Sequence, residues 1–460
     1  MTGDRELLRR TAEIAADFLE TLDERPVFPT TSVEELAAAL GGPLPDTPSD
    51  PLGVIEQLAR DADPGIVATA GPRYFGYVIG GALPATVAAD WLTTIWDQCA
   101  GLGALSLSAS VVEEIVGDWL KGLLGLPRDA SFAITTGCQM AHVTALAAAR
   151  HSVLEARGWD VRERGLAGSP PITAVVGQLR HVTVDRALRL LGIGNAQLIA
   201  VAADRQGRMT SNDLRAALGR VDGPTIVCAQ AGEVNTGSFD PLAEIVEVVR
   251  QTDAWLHVDG AFGLWAAASP TRRHLVDGVA SADSWATDGH KWLNVPYDCG
   301  LAFCADPAAH KASMTMHASY FEGQGKWMRD ASDWTPESSR RARAFTVYAA
   351  LRSLGRQGVA DLVDRCCERA RQFAEGIARL PGCSVLNEVV SNQVLFRFED
   401  DEKTLAALDA VQRSGEAWMG GTTWDDRVAI RIAVSNWKTT KADIDRTVAA
   451  FEATLATVPA

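Results

Sequence analysis

The sequence has 460 residues, 47% hydrophobic and 22% charged, with a formal net charge of -15, the composition expected of a soluble globular protein with two domains. The acidic balance argues against nucleic acid or an anionic membrane as partner, since both are bound through basic surface. The eight cysteines (99, 138, 228, 299, 304, 366, 367 and 383) show neither CxxC nor zinc spacing, so they read as reduced thiols of a cytoplasmic protein with no metal. The charged N-terminal stretch lacks the apolar core of a signal peptide, and no run is long and apolar enough to span a bilayer.

In chain order, Leu7, Thr11, Ile14 and Phe18 fall at helical spacing, predicting an amphipathic helix over the first twenty residues. A Pro-, Thr- and Gly-rich connection from Pro26 to Pro51 carries a short helix at Val33 to Leu40, and Pro51 to Arg60 reads as another. The segment Pro72 to Gly81 is either a core-lining strand or a pocket wall built from Phe75, Tyr77 and Ile79. Ser108 to Leu124 follows as a helix with its acidic residues in the first half, which suits the helix dipole. Ala133 to Met140 reads as strand, small-residue turn and helix start, a place where backbone N–H groups can take a phosphate. Its candidates are Gly137, Cys138 and Gln139.

Strands at Ile172 to Val176, Leu198 to Ala202, Thr225 to Gln230 and Trp255 to Asp259 alternate with helices at Asp213 to Leu218 and Leu242 to Arg250. Such alternation predicts an α/β fold with a mostly parallel sheet. Cys299 to Ala305 is a further strand, and His317 to Asp333 reads as a polar, Gly-containing lid. A long helix, Phe345 to Leu354 resuming at Val359 to Leu380, opens a smaller part with a strand at Val385 to Phe398. A helix at Leu405 to Gln412, a strand at Ala429 to Val434 and a helix at Ala442 to Leu455 complete it. The division expected is an N-terminal helical arm and connection (1–70), a large domain (71–343) and a small α+β C-terminal domain (344–460). Gly192-Ile193-Gly194 follows a helix and lacks a third glycine, and Gly325-Lys326 precedes Trp327, so neither is a nucleotide loop.

Two stretches carry chemistry: His257-Val258-Asp259-Gly260-Ala261, and Asp283 to Trp292 with its Asp288-Gly289-His290-Lys291. Alone, a lysine after a strand is usually solvated, and a strand-end Asp before Gly is usually a turn residue. Together they suit pyridoxal phosphate (PLP), which needs a lysine for its aldehyde and a carboxylate to keep the pyridine nitrogen protonated. From about residue 70 to the C-terminus, HVDGAFG (257–263), DSWATDGHKW (283–292) and the pieces around Gly137, His181 and Asn235 resemble the group II PLP-dependent amino-acid decarboxylases, of fold type I.

The resemblance implies that Lys291 carries PLP as a Schiff base, that Asp259 faces the ring nitrogen, and that His181, otherwise a helix cap, stacks on the ring. It implies phosphate contacts from Gly137, Cys138, Gln139 and His290, further cofactor contacts from Asn235, Ala261 and Asp288, and a substrate wall of Phe75, Tyr77 and Ile79. It also implies a homodimer clasped by the N-terminal arm, with shared active sites. Arg431 among apolar strand residues is either a sheet-face charge or a carboxylate anchor.

One departure is visible. Aligning on Trp334 and Arg340-Arg341 places Ala331 where these decarboxylases carry a lid tyrosine that protonates Cα, and the only tyrosine nearby is Tyr320. The function expected is therefore decarboxylation, or decarboxylation-coupled oxidative deamination, of an L-amino acid. The alternatives are β-elimination from a cysteine S-conjugate and a non-catalytic PLP-binding homologue.

Overall fold

The computed structural model describes residues 2–316 and 329–455. Most of the expected lid, with Tyr320 and Gly325-Lys326, lies outside the described residues.

Seven strands form the main sheet: β1 (Ser131–Thr135), β2 (Thr173–Gly177), β3 (Leu198–Val201), β4 (Thr225–Gln230), β5 (Trp255–Asp259), β6 (Ser284–Asp288) and β7 (Gly300–Cys304). Their order is β1-β7-β6-β5-β4-β2-β3. Only β7 runs against its neighbours, pairing antiparallel with both β1 and β6, while β2, β3, β4, β5 and β6 pair in parallel. The ends of β4, β5 and β6 therefore open on one edge, where α/β sheets bind ligands.

β1, β4, β5, β6 and β7 are buried throughout, which explains their near-continuous apolar runs. Within β5 the alternation is still legible. Leu256 and Val258 belong to one core cluster and Trp255 to another, so Trp255, His257 and Asp259 share the opposite face. The helix Cys138–Glu155 packs on β5, β6 and β7.

A second sheet joins β8 (Ser384–Val385), β9 (Gln393–Arg397), β10 (Gly420–Trp424) and β11 (Arg427–Ala433), all antiparallel, in the order β10-β11-β9-β8. The single strand expected over Val385 to Phe398 is two strands. Between them the Asn387 side chain donates to Thr236 O at 2.7 Å and accepts from Leu395 N at 3.0 Å, turning the chain out of the ladder. The long helix Ala344–Ile377 is interrupted at Gly355, whose φ of 61° is left-handed, inside the break expected after Leu354. Neither β10, with its weak Gly-Gly-Thr-Thr start, nor the helix Pro84–Trp96 was expected from the sequence.

The 72–81 segment is not a regular strand. Phe75 donates its N–H to Trp418 O at 2.7 Å and Trp418 returns one to Arg73 O at 3.1 Å. Tyr77 and Val78 then take φ values of 53° and 58°, which ends strand alternation. Among the described residues no helix is long and apolar enough to cross a membrane.

Candidate active site

Lys291, Asp259, His181, Tyr77 and Arg431 line one cavity of about 240 Å³ at the shared edge of β4, β5 and β6. Five separate segments meet there. Asp259 closes β5, Lys291 follows β6 by three residues, and His181 follows β2 as the N-cap of the helix Val182–Leu190. Arg431 reaches over from β11.

Lys291 Nζ lies 3.1 Å from Asp288 Oδ2. Burial pulls the ammonium pKa down, but Asp288 and Asp259 outweigh it and hold it above its ordinary value. Asp288 Oδ1 accepts the Cys138 backbone N–H at 2.6 Å and lies 3.4 Å from His290 Nε2. His290 Nδ1 accepts from Cys299 N at 3.1 Å, so a neutral His290 carries its proton on Nε2, toward this cup. Burial, partly offset by Asp288, lowers the His290 pKa.

The cup opens because Gly137, with φ +121°, begins the helix Cys138–Glu155. A Cβ at 137 would meet His290 Cε1 at 3.2 Å, and one at 300 would fall 2.2 Å from the Gly137 carbonyl carbon. Backbone N–H groups at a helix start, the His290 Nε2–H and a cradle that a Cβ would fill together suit a phosphate. The Gln139 side-chain Nε2 donates to Thr183 O at 3.2 Å, and its buried Oε1 has no partner among the described residues. Asp288 is the exception in this cup, a carboxylate holding the amide that a phosphate would take.

Gly137, Cys138, Gln139, Asp288 and His290 do not themselves line the cavity; on its wall, Asp259 Oδ1 accepts from Ala261 N at 3.0 Å and lies 3.5 Å from His142 Nε2. Burial alone would raise its pKa, but the His142 imidazole that faces it and the Ala261 N–H that donates to it hold the carboxyl well below the usual range. This is the state a pyridinium partner needs. His181 Nδ1 is 2.8 Å from Thr183 Oγ1, leaving Nε2 without a protein partner among the described residues, and burial lowers its pKa so that it is neutral. Helix cap and cavity wall are thus compatible roles for His181.

Cys138 Sγ, His142 Nε2 and an Asp259 oxygen lie within 4.8 Å of one another, a spacing open to a metal ion. His142 Nε2 lies 3.4 Å from Cys138 Sγ and 3.5 Å from Asp259 Oδ1, and burial pushes the Cys138 thiol pKa well up.

Some expected residues fall elsewhere. Phe75 is 1% exposed in the main core and Ile79 is not on the cavity wall, because the left-handed pair at 77 and 78 leaves Tyr77 and Val78 lining it instead. Asn235 is engaged on Glu233 Oε1 at 2.8 Å and by the Thr422 hydroxyl at 2.9 Å. Its loop reaches the wall through Gly232 and Val234. Ala331 begins a short 3-10 turn and is buried. Trp334 packs on His310 with ring centroids 5.2 Å apart, and the buried Arg340 pairs with Glu113 at 2.9 Å. Sequence reasoning passed over His142, one helical turn after Cys138, and the W-x-H-x-D alternation of β5, the two signals that mark the groups behind Asp259.

The pyridoxal-dependent decarboxylase conserved domain matches residues 34–399. The chain is 27% identical to the aromatic-L-amino-acid decarboxylase of Bacillus atrophaeus over 95% of its own length and 92% of that protein's. It is also 27% identical to the 4-hydroxyphenylacetaldehyde synthase of Rhodiola rosea, over 95% and 93%. The crystal structure of Oryza sativa TDC with PLP and tryptamine shares its fold with a TM-score of 0.92, at 22% identity over 99% of this chain and 98% of that one. A family match over most of the chain, on a fold whose strand edge carries the lysine and the acid, makes this protein a member of the pyridoxal-dependent decarboxylase family, a PLP-dependent lyase working at Cα of an amino acid.

Proposed function

We propose that Lys291, Asp259 and His181 are the residues at the reacting centre, and that the chain releases CO2 from an L-amino acid, either as a simple decarboxylation or coupled to oxidative deamination. The observation that carries this reading is the convergence of those three side chains on one cavity. PLP, when bound, supplies an aldehyde for amines and a ring that accepts the electron pair left at Cα.

Lys291 is the amine that would hold the aldehyde between turnovers and, once displaced, would be free to give or take a proton. Asp259, ionised and buried, keeps a proton on the ring nitrogen. His181 presents its neutral ring to the cavity as a stacking surface with Nε2 free. The amides of Gly137 and Gln139, with His290, would hold the phosphate, joined by the Cys138 amide once it leaves Asp288 Oδ1, while Ala261 and Asp288 would flank the cofactor and Asn235 would act through the 232–234 loop. Tyr77 and Val78 form the substrate side. Arg431 donates Nη1 to Val234 O at 3.1 Å, and its guanidinium anchors an anionic group of the substrate.

Decarboxylation to an amine requires a proton at Cα. Ala331, aligned with the lid tyrosine of the resembled decarboxylases, offers none, and similarity to an aldehyde synthase supports the O2 branch. That branch balances as amino acid, O2 and water giving aldehyde, CO2, ammonia and H2O2. The test is a panel of L-amino acids and cysteine S-conjugates, followed aerobically and anaerobically for CO2, O2 uptake, ammonia and pyruvate. CO2 with a primary amine and no O2 uptake identifies the simple decarboxylase, and CO2 with O2 uptake the oxidative one. Turnover without CO2 ends this reading, and pyruvate in its place means β-elimination.

We also take the protein to be a cytoplasmic homodimer divided near residues 70 and 343. Leu92, Ile95 and Trp96, each 48% exposed or more, form one face of the helix Pro84–Trp96, an apolar stripe that a second copy would cover. Sedimentation equilibrium reads the dimer directly.

A further inference from the structure

Behind Asp259 lies a file of buried polar side chains that leads away from the cavity. Trp255 Nε1 is 2.9 Å from Ser284 Oγ, Ser284 Oγ is 2.9 Å from His257 Nδ1, His257 Nε2 is 2.9 Å from His142 Nδ1, and His142 Nε2 is 3.5 Å from Asp259 Oδ1. Ser284, His257 and His142 are each 0% exposed. The placement follows from the fold. Trp255, His257 and Asp259 share one face of β5, His257 is in register with Ser284 of β6, and the helix Cys138–Glu155 lays His142 over that face.

The direction of every proton in this file is fixed by its far end. An indole N–H can only donate, so Ser284 Oγ accepts from Trp255. The serine hydroxyl then has one acceptor among the described residues, His257 Nδ1, and a buried hydroxyl left without one is costly. With Nδ1 accepting, a neutral His257 carries its proton on Nε2 and gives it to His142 Nδ1. His142 in turn carries its proton on Nε2, facing the carboxylate. Burial pushes the His257 pKa down to about 3, in keeping with a neutral ring.

We infer that Trp255, Ser284, His257 and His142 form a one-way hydrogen-bond relay that steadies Asp259 through Oδ1 and so leaves Oδ2 available to the pyridine nitrogen of PLP. Oδ1 accepts the Ala261 N–H and lies 3.5 Å from His142 Nε2, which is also 3.4 Å from Cys138 Sγ, and Oδ2 has no protein partner among the described residues. The four are positioning residues, and none lines the cavity. The inference rests on Asp259 as the partner of the ring nitrogen, but the relay's proton pattern can be read without that assignment.

Neutron diffraction from perdeuterated crystals of the full chain locates the deuterons. Nuclear density on Nε2 of both His142 and His257, with none on either Nδ1, is expected; a deuteron on either Nδ1 overturns the relay. The functional arm compares the affinity of wild type and Ser284→Ala for PLP and for its 1-deaza analogue, in which ring nitrogen is replaced by C–H. Ser284→Ala is expected to weaken PLP about fivefold and leave the analogue unchanged, because only PLP feels the carboxylate. Equal loss for both ligands, or loss for neither, overturns the relay's action on the ring nitrogen. If wild type itself fails to distinguish the two ligands, the assignment of Asp259 falls, and the neutron map alone decides the relay.

Discussion

Gly300 lies against Gly137 so closely that a Cβ on residue 300 would fall 2.2 Å from the Gly137 carbonyl carbon and 2.4 Å from its oxygen. Both obstacles are backbone atoms, so no side-chain rotation relieves the clash. Gly300→Ala is therefore expected to push the start of the helix Cys138–Glu155 away from His290 and to cost about 1–3 kcal/mol of stability. Affinity for PLP should fall at least tenfold, measured by quenching of tryptophan fluorescence. A variant that melts lower yet binds PLP normally would detach this cup from phosphate binding.

Asp288 joins the lysine to the phosphate cup, since Oδ2 faces Lys291 and Oδ1 holds the Cys138 amide. Its charge keeps the Lys291 pKa above the ordinary lysine value, and a protonated amine cannot attack an aldehyde. In Asp288→Asn the amide oxygen can still accept from Cys138 while the charge is gone. The Lys291 pKa then falls, more free amine is present at pH 7, and PLP should condense several-fold faster. Stopped-flow absorbance across pH reads this directly, with the wild-type rate rising toward higher pH than the variant's. Coincident profiles would show that Asp288 does not control the lysine.

The parts of this site legible in the sequence are those whose chemistry is local. Lys291 after His290, Asp259 at a strand end and Gly137 before a helix each announce a role within a few residues, and burial of whole strands made the parallel sheet readable from apolar runs. The substrate wall was less legible because Tyr77 and Val78 adopt left-handed φ values that a strand pattern does not suggest. Asn235 is expected at the cofactor from the family resemblance alone, and its own loop does not reveal that Thr422, distant in sequence, donates to its side-chain oxygen. His142 was passed over for the same reason, since its partners His257 and Asp259 come from a strand more than a hundred residues later.

Arg431 offers a test of which end of the substrate the far wall holds. Its guanidinium makes one bond to Val234 O, and burial lowers its pKa against the pull of Glu233, so an anionic substrate group would be a favourable partner. Arg431→Gln is expected to raise KM about 10- to 100-fold, the worth of one charge-assisted contact of about 1.5–3 kcal/mol, with a smaller effect on kcat. Steady-state kinetics on the best substrate from the panel decides it. An unchanged KM would return Arg431 to the role of a sheet-face charge.

Two buried histidines give the fold a definite acid response. His257 and His310 are both 0% exposed, and burial pushes each pKa from the ordinary 6.5 down to about 3, with Arg329 adding to the shift at His310. Between those values the unfolded chain takes up protons that the folded chain refuses. Their stabilising share is thus complete above about pH 6.5 and is lost as pH falls toward 3, at up to about 1.4 kcal/mol per pH unit for each residue. His310 lies outside the catalytic cavity, with Nδ1 2.8 Å from Ser131 Oγ and Nε2 2.9 Å from Trp334 O. Urea unfolding at pH 7.5, 6 and 5 should show falling midpoints. His310→Gln should start less stable at pH 7.5, because its amide cannot reproduce both contacts, and should decline less steeply with acid. Parallel pH profiles for wild type and variant would mean that His310 is protonated within the folded protein, and that its burial does not exclude the proton.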